Sequence, residues 1–186
     1  PAAQQIRRGA VIRIVNTSSG WEIRQLPEVE SALVAMDPRT GAIKALIGGF
    51  DFAKNSFNRI TQAYRQPGSS FKPFIYSAAL EEGVMPNTLI SDSPLTLDAG
   101  VTGGRAWSPK NYDGSNGPPL TMRQGLTKSK NLVSVRILQT VGTQKTQDWA
   151  VRFGFPAERT PPYLTMALGA GTVTPMELAT GYAVFA

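Results

Sequence analysis

The sequence predicts a mixed α/β domain, and three observations carry that prediction. Two apolar runs, Ser31–Met36 and Ala42–Gly48, flank the turn Asp37-Pro38-Arg39-Thr40-Gly41, as paired strands do. Both runs are apolar on both faces, a pattern that calls for helices over the hairpin. Helix-forming stretches then follow, punctuated by Gly83, Gly142 and Gly154 as stops and by Thr174-Pro175 as a start.

The elements follow in order. Residues 1–24 read as the end of a preceding linker or small β domain, with one strand at Ala10–Val15. Asn16–Gly20 then forms a turn or linker, and a second short strand begins at Trp21-Glu22-Ile23. After the hairpin, Gly48–Phe52 leaves the sheet, and a loop from Lys54 to Arg65 holds Asn58 and Arg59. Pro67 and Gly68 break the chain before Ser69–Leu80, whose positions Phe74, Ile75, Ala78 and Ala79 share one helical face. That helix continues through Glu81-Glu82 and stops at Gly83.

From Pro86 to Pro119 the chain is rich in Pro, Gly, Asp, Ser and Asn and reads as a long connection with little regular structure, folded over the site. Helices are expected at Leu120 to about Lys128, at Leu132–Gln139 closed by Gly142, and at Gln144–Phe153 with Thr143 as its cap. Thr174-Pro175-Met176-Glu177 is a capping box with Pro at the first helical position. The helix it opens runs into Ala186 with no stop signal and an apolar end, so the sequence is expected to be a fragment.

A helix opening at Ser69 makes Ser69 and Lys72 neighbours on its first turn. A serine hydroxyl is a poor nucleophile until a base takes its proton. An amine whose pKa is lowered by burial or by nearby positive charge can be that base. The plainer alternative is a helix cap beside a solvated lysine.

Composition narrows the chemistry. The chain has no His and no Cys, which excludes Ser-His-Asp and Cys-His catalysis and thiolate or histidine metal sites. A nucleophilic enzyme built from this sequence must use Ser or Thr, with Lys, Tyr or a carboxylate as base. No metal and no cofactor are expected. The net charge of +6 favours anionic partners such as a polyanionic wall, without the basic blocks of a nucleic-acid arm. No stretch is long and apolar enough to span a bilayer, and no signal peptide opens the chain.

Ser129-Lys130-Asn131 forms a second polar knot, between two apolar helices. A hydroxyl beside a lysine can relay a proton to a leaving group, and an amide can hold a substrate carbonyl and a catalytic lysine. A helix-connecting loop capped by serine is the alternative. Two decoys are rejected: Ser56-Phe57-Asn58 precedes Ser69, and Arg39-Thr40-Gly41 lies in the early hairpin turn.

Together these residues resemble the serine penicillin-recognising enzymes, whose signature is Ser-x-x-Lys, then Ser-Asp-Asn, then Lys-Thr-Gly. Gly68–Phe74, Ser129-Lys130-Asn131 and Ala45–Gly49 are similar to class A, bifunctional penicillin-binding proteins of the 1a type. So are Trp107–Asn111, Arg152–Pro156, Ala167-Leu168-Gly169, Thr174-Pro175 and Gly181–Val184. The resemblance covers about residues 22–186 in the family's order. Lys145-Thr146 is followed by Gln147, so the third motif is missing and is expected beyond Ala186.

The resemblance implies helices around a central, mainly antiparallel sheet plus an all-helical subdomain, with residues 25–186 as the N-terminal part of the transpeptidase domain. It implies Ser69, Lys72 and Ser129 as catalytic residues, and Lys130, Asn131, Ser70, Trp107 and Asn111 as substrate-binding ones. The backbone N–H of Ser69 would supply half of an oxyanion hole. The implied reaction is D,D-transpeptidation of peptidoglycan stem peptides through a serine acyl-enzyme that β-lactams trap. The full-length protein is expected to add a glycosyltransferase that uses lipid-linked precursor. Its catalytic domain is expected to face the periplasm from an inner-membrane anchor outside this chain, among partners in cell-wall synthesis. The alternatives are a β-lactamase and a non-catalytic wall-binding or β-lactam-sensing module on the same fold.

Overall fold

The computed structural model describes residues 6–25, 27–102 and 104–186; residues 1–5, at the head of the expected 1–24 segment, Leu26 and Gly103 lie outside the described residues. The chain divides into two compact units, 1–31 and 32–186, and the expected 1–24 segment falls within the first. That unit is an antiparallel hairpin of β1 (Ile14–Thr17) and β2 (Gly20–Ile23), paired from Ile14↔Ile23 to Thr17↔Gly20. The first strand starts later than Ala10 and runs past Val15. The tight turn at Ser18-Ser19 draws Asn16 and Thr17 into the pairing, where the sequence suggested a linker.

The second unit opens with β3 (Leu33–Met36) and β4 (Ile43–Ile47), antiparallel as expected, with a register shift between Ala35 and Met36. Asp37 organises the turn: its backbone N–H donates to Ala42 O at 2.9 Å and its carboxylate accepts from Arg39 N at 3.0 Å. The expectation that helices cover this hairpin is corrected for β4. Every residue of β4 is exposed, whereas β3 meets the helix α7 (Pro175–Ala183). Apolar runs register the burial a strand is suited to, not the element that provides it.

The loop after β4 holds one helical turn, α1 (Arg59–Gln62), that the sequence reading missed. Asn58 caps it, accepting from Ile60 N at 3.0 Å, while Gln62 Oε1 accepts from Asn58 N at 2.7 Å. Arg65 then pairs with Val173 through two backbone bonds of 3.0 Å. A 3₁₀ turn, Gly68–Phe71, precedes α2 (Lys72–Glu81), so the helix proper begins at Lys72 rather than Ser69. Pro73 sits in the first turn of α2, where its missing N–H costs little.

The stretch 86–119 is more ordered than its composition suggested. It contains β5 (Leu89–Asp92) and a short α3 (Ala99–Thr102), and it runs into β6 (Gly117–Thr121), which pairs antiparallel with β5. Gly117-Pro118-Pro119 hides β6 from a propensity reading. Proline is tolerated there because, among the described residues, β6 pairs with β5 on one edge and has no ladder on the other. Thr121 caps α4 (Met122–Thr127) with Gln124 in a capping box.

Next come α5 (Asn131–Val141) and α6 (Thr143–Arg152). Thr143 is the first residue of α6 and makes no capping bond; Gly142, with φ 93°, serves as the joint between the two helices. The capping box at Thr174 and Glu177 forms as expected.

The core lies where α2 meets α5 and α6. Phe71, Phe74, Ile75 and Ala79 of the first segment face Val133, Val135, Ile137 and Leu138 of α5, all nearly or fully buried. Phe74 is ringed by Phe71, Phe153, Phe155, Tyr182 and Phe185 at centroid separations of 4.7–5.5 Å, mostly edge to face. This packing fixes α2 and leaves the turn before it, with Ser69, at the surface.

Candidate active site

Ser69 is exposed on the 3₁₀ turn, at the mouth of a cavity of about 300 Å³ that Asn111, Tyr112, Asp113, Lys128, Ser129, Lys130 and Asn131 complete. Among the described residues no protein group bonds its hydroxyl, and no backbone carbonyl accepts its N–H. The turn is braced from behind. Gly169, with φ 69°, lies so close that a Cβ there would sit 2.1 Å from Gly68 O, which only glycine permits. Ser70 helps from within: its hydroxyl donates to Pro67 O at 2.6 Å, and its carbonyl accepts from Tyr182 at 2.8 Å.

Lys72 is 1% exposed. Its ammonium donates to Ser129 O at 2.7 Å, Ser129 Oγ at 3.1 Å and Asn131 Oδ1 at 2.8 Å, which accounts for all three N–H bonds of a protonated lysine. Burial lowers its pKa from 10.5 to about 8. Among the described residues, Ser129 is the non-glycine residue with positive φ, 51°. That uncommon conformation brings both its carbonyl and its hydroxyl onto the one ammonium, a strained arrangement of the kind found at functional sites.

Asn131 is held from both ends. Its Nδ2 donates to Lys110 O at 2.9 Å, which turns its carbonyl to Lys72. Its backbone N–H and that of Leu132 donate to Asn111 Oδ1 at 2.9 and 3.2 Å. Lys130 makes no capping bond with its side chain, so Asn111 caps α5 from another segment.

Lys130 points elsewhere: its Nζ is 2.8 Å from Ser115 Oγ, 3.1 Å from Asp113 Oδ2 and 3.5 Å from Asp92 Oδ2. Desolvation alone would lower its pKa, but Asp113 and Asp92 outweigh that and raise it. Asp113 is held at about 2 by the hydroxyl and N–H of Ser115 and by Lys130.

The geometry therefore gathers Ser69, Lys72, Ser129, Lys130 and Asn131 from two chain segments. Asn111 lines the cavity but is 5% exposed, and its amide is spent on Asp92, Ser115 and α5 rather than left free for a substrate. Trp107 pairs with Leu97 and lines a separate cavity of about 250 Å³ with Arg105, Tyr163 and Leu164. Sequence reasoning missed Asp92, Asp113 and Ser115. Nothing in the local sequence ties any of the three to Lys130.

The family model of the penicillin binding protein transpeptidase domain matches residues 31–186. The chain belongs to the penicillin-binding transpeptidase family. It is 50% identical over 182 residues to penicillin-binding protein 1A of Neisseria lactamica, covering 98% of this chain and 23% of that protein. The crystal structure of penicillin-binding protein 1A from Haemophilus influenzae superposes with a TM-score of 0.85 at 41% identity, over 94% of this chain and 26% of that one. PonA1 of Mycobacterium tuberculosis, in complex with penicillin V, gives 0.70 at 28% identity, over 84% and 44%. The chain thus has the penicillin-binding transpeptidase fold, and it spans about a quarter of the length of the curated relatives it matches. Among the described residues no helix is long and apolar enough to cross a membrane.

Proposed function

We propose that residues 25–186 supply the nucleophile and proton-transfer part of a serine D,D-transpeptidase site that cross-links peptidoglycan stem peptides. The observation that carries this reading is the buried, pKa-lowered Lys72 held by Ser129 and Asn131 beside the cavity that Ser69 opens into. With Lys72 neutral, its Nζ takes the proton of Ser69 Oγ, and the oxygen attacks the carbonyl of the penultimate D-Ala. The N–H of Ser69, which no backbone carbonyl accepts among the described residues, donates to the developing oxyanion. The terminal D-Ala leaves as its nitrogen gains a proton passed from Lys72 through Ser129 Oγ. An amine of a neighbouring stem then attacks the acyl-enzyme and returns Ser69 to its free form.

Lys130 holds positive charge at the wall of the cavity, and Asn131 orients both Lys72 and substrate. A β-lactam follows the same first step and stays attached, because the carboxylates near the cavity among the described residues are poorly placed to activate water. Asp113 is tied to Lys130 and Ser115 at about 2, too weak a base near neutrality, and Glu177 caps α7. In the full-length protein we infer a periplasmic catalytic domain on an inner-membrane anchor, with a peptidoglycan glycosyltransferase domain using lipid-linked precursor. Residues 1–24 then end the segment that precedes the transpeptidase domain.

The test is turnover by the full-length protein of a stem peptide ending in D-Ala-D-Ala, offered with an amine acceptor. Release of one D-Ala for each cross-link formed is expected, together with a penicillin adduct that outlasts many turnovers. Rapid loss of the penicillin adduct with no cross-linking would identify a β-lactamase instead, and a stable adduct with no peptide turnover a sensing module.

A further inference from the structure

Asp92 closes β5 and is 1% exposed, yet one of its carboxylate oxygens, Oδ2, has no hydrogen-bond partner among the described residues. A buried carboxylate is tolerated when a partner charge compensates the oxygen that no hydrogen bond reaches. Its other oxygen accepts from Asn111 Nδ2 at 2.8 Å. A carboxylate accepts only, as does Ser115 O, which takes a 2.8 Å bond from the same Nδ2. The two force the amide of Asn111 to turn its carbonyl toward the N–H groups of Asn131 and Leu132. Oδ2 forms an ion pair with Lys130 Nζ at 3.5 Å.

Asp92 itself is fixed. Arg136 of α5 donates to Ser91 O at 3.1 Å and Ser93 O at 2.9 Å, gripping the chain on either side of it. Lys130 thus has two anionic neighbours of different character. The Asp113 side chain is 58% exposed and sits on a loop, where solvent screens it; that of Asp92 is 1% exposed and anchored to α5.

We propose that Asp92 is a positioning residue of the site: its buried carboxylate fixes the Lys130 ammonium at the cavity wall and, by orienting Asn111, fixes the first turn of α5 that presents Asn131 to Lys72. This proposal rests on the acylation reading given above for its catalytic consequence, and on the geometry alone for the coupling of Asp92 to Lys130.

The experiment is a double-mutant cycle in the full-length protein with Asp92→Asn, Lys130→Gln and the pair, using a fluorescent penicillin as probe. Asn at 92 can still accept from Asn111 but turns an NH₂ toward Lys130, so it removes the charge contact and keeps the cap. Asp92→Asn should slow the acylation rate constant about tenfold, whereas with Lys130→Gln already present it should change the rate less than about twofold. The labelled fraction of folded protein should stay constant, because a residue that only supports folding lowers the amount labelled and leaves the rate alone.

Wild-type rates in Asp92→Asn, or equal effects in both backgrounds, would overturn the proposal. If Asp92→Asn alone fails to fold, the pair should fold, since it also removes the ammonium that the buried carboxylate compensates; an unfolded pair beside a folded Lys130→Gln would also overturn it. The same cycle read in unfolding midpoints keeps the two claims apart. A wild-type protein that takes no penicillin at Ser69 sinks the functional reading, while additive midpoints sink the role of Asp92.

Discussion

Lys72 Nζ donates to Asn131 Oδ1 at 2.8 Å, and the same amide turns its Nδ2 away to Lys110 O at 2.9 Å. The lysine thus faces a carbonyl rather than a carboxylate. An acceptor without full charge satisfies the ammonium but does little to hold its proton, so burial dominates and the pKa falls to about 8. Near pH 7 about one Lys72 in ten is then neutral, against fewer than about one in a thousand for a free lysine.

Asn131→Asp should reverse that balance. A carboxylate against Lys72 stabilises the ammonium, so the acid limb of the acylation rate should move to higher pH by about one unit or more. Measured rates of penicillin acylation between pH 6 and 10 check this, and an unmoved limb contradicts it.

In the wild type the acylation rate should rise about tenfold per pH unit below 8 and level off above it, following the neutral fraction of Lys72. Stability follows with the sign of a lowered lysine. Between about 8 and 10.5 the unfolded chain binds the proton that the folded one has lost, so this group adds stability as pH rises through that window and withholds it below. A flat rate profile from pH 6 to 8 would remove Lys72 as the base.

Lys72→Ala should lower acylation by about 10²–10⁴-fold, the range for losing a general base. Lys72→Arg should not rescue it, because a guanidinium keeps its proton at any pH the protein survives. Substantial labelling of the Arg variant would show that Lys72 acts by charge alone.

Gly169→Ala should displace the turn that carries Ser69. Its Cβ would meet Gly68 O at 2.1 Å, backbone against backbone, in a conformation of positive φ. A loss of at least about 2 kcal/mol is expected, together with slower acylation. Thermal unfolding and labelling of this variant decide it; wild-type values in both would mean that Gly169 does not brace the turn.

The sequence was informative where chemistry and local pattern coincide. The β3–β4 turn, the stops of α2 and α5 and the capping box of α7 follow from Gly, Pro and Thr at positions where their conformations decide the backbone. The meeting of Lys72 with Ser129 and Asn131 was expected from the family resemblance of the two motifs taken together; the spacing of either motif alone left a capped helix or a capped loop as the alternative. The β5–β6 pair was not legible, since Gly117-Pro118-Pro119 reads as loop and is a strand only because Asp92 and its neighbours lie opposite. The work of Asn111 was equally hidden. Its partners Asp92 and Asn131 come from other segments, and an asparagine reads the same whether it faces substrate or caps a helix. Ser70 shows the converse, a residue of the motif whose hydroxyl is spent on Pro67 O.

The most direct measurement is the site of attachment of a penicillin to the full-length protein, found by mass mapping of the labelled peptide. Ser69 and Ser70 stand side by side, but the Ser70 hydroxyl is bonded to Pro67 O, whereas that of Ser69 has no partner among the described residues and a lysine lies three residues on. The adduct should lie on Ser69, vanish in Ser69→Ala and persist in Ser70→Ala. An adduct that survives Ser69→Ala and is lost in Ser70→Ala would contradict the assignment of the nucleophile and, with it, the mechanism built on Lys72.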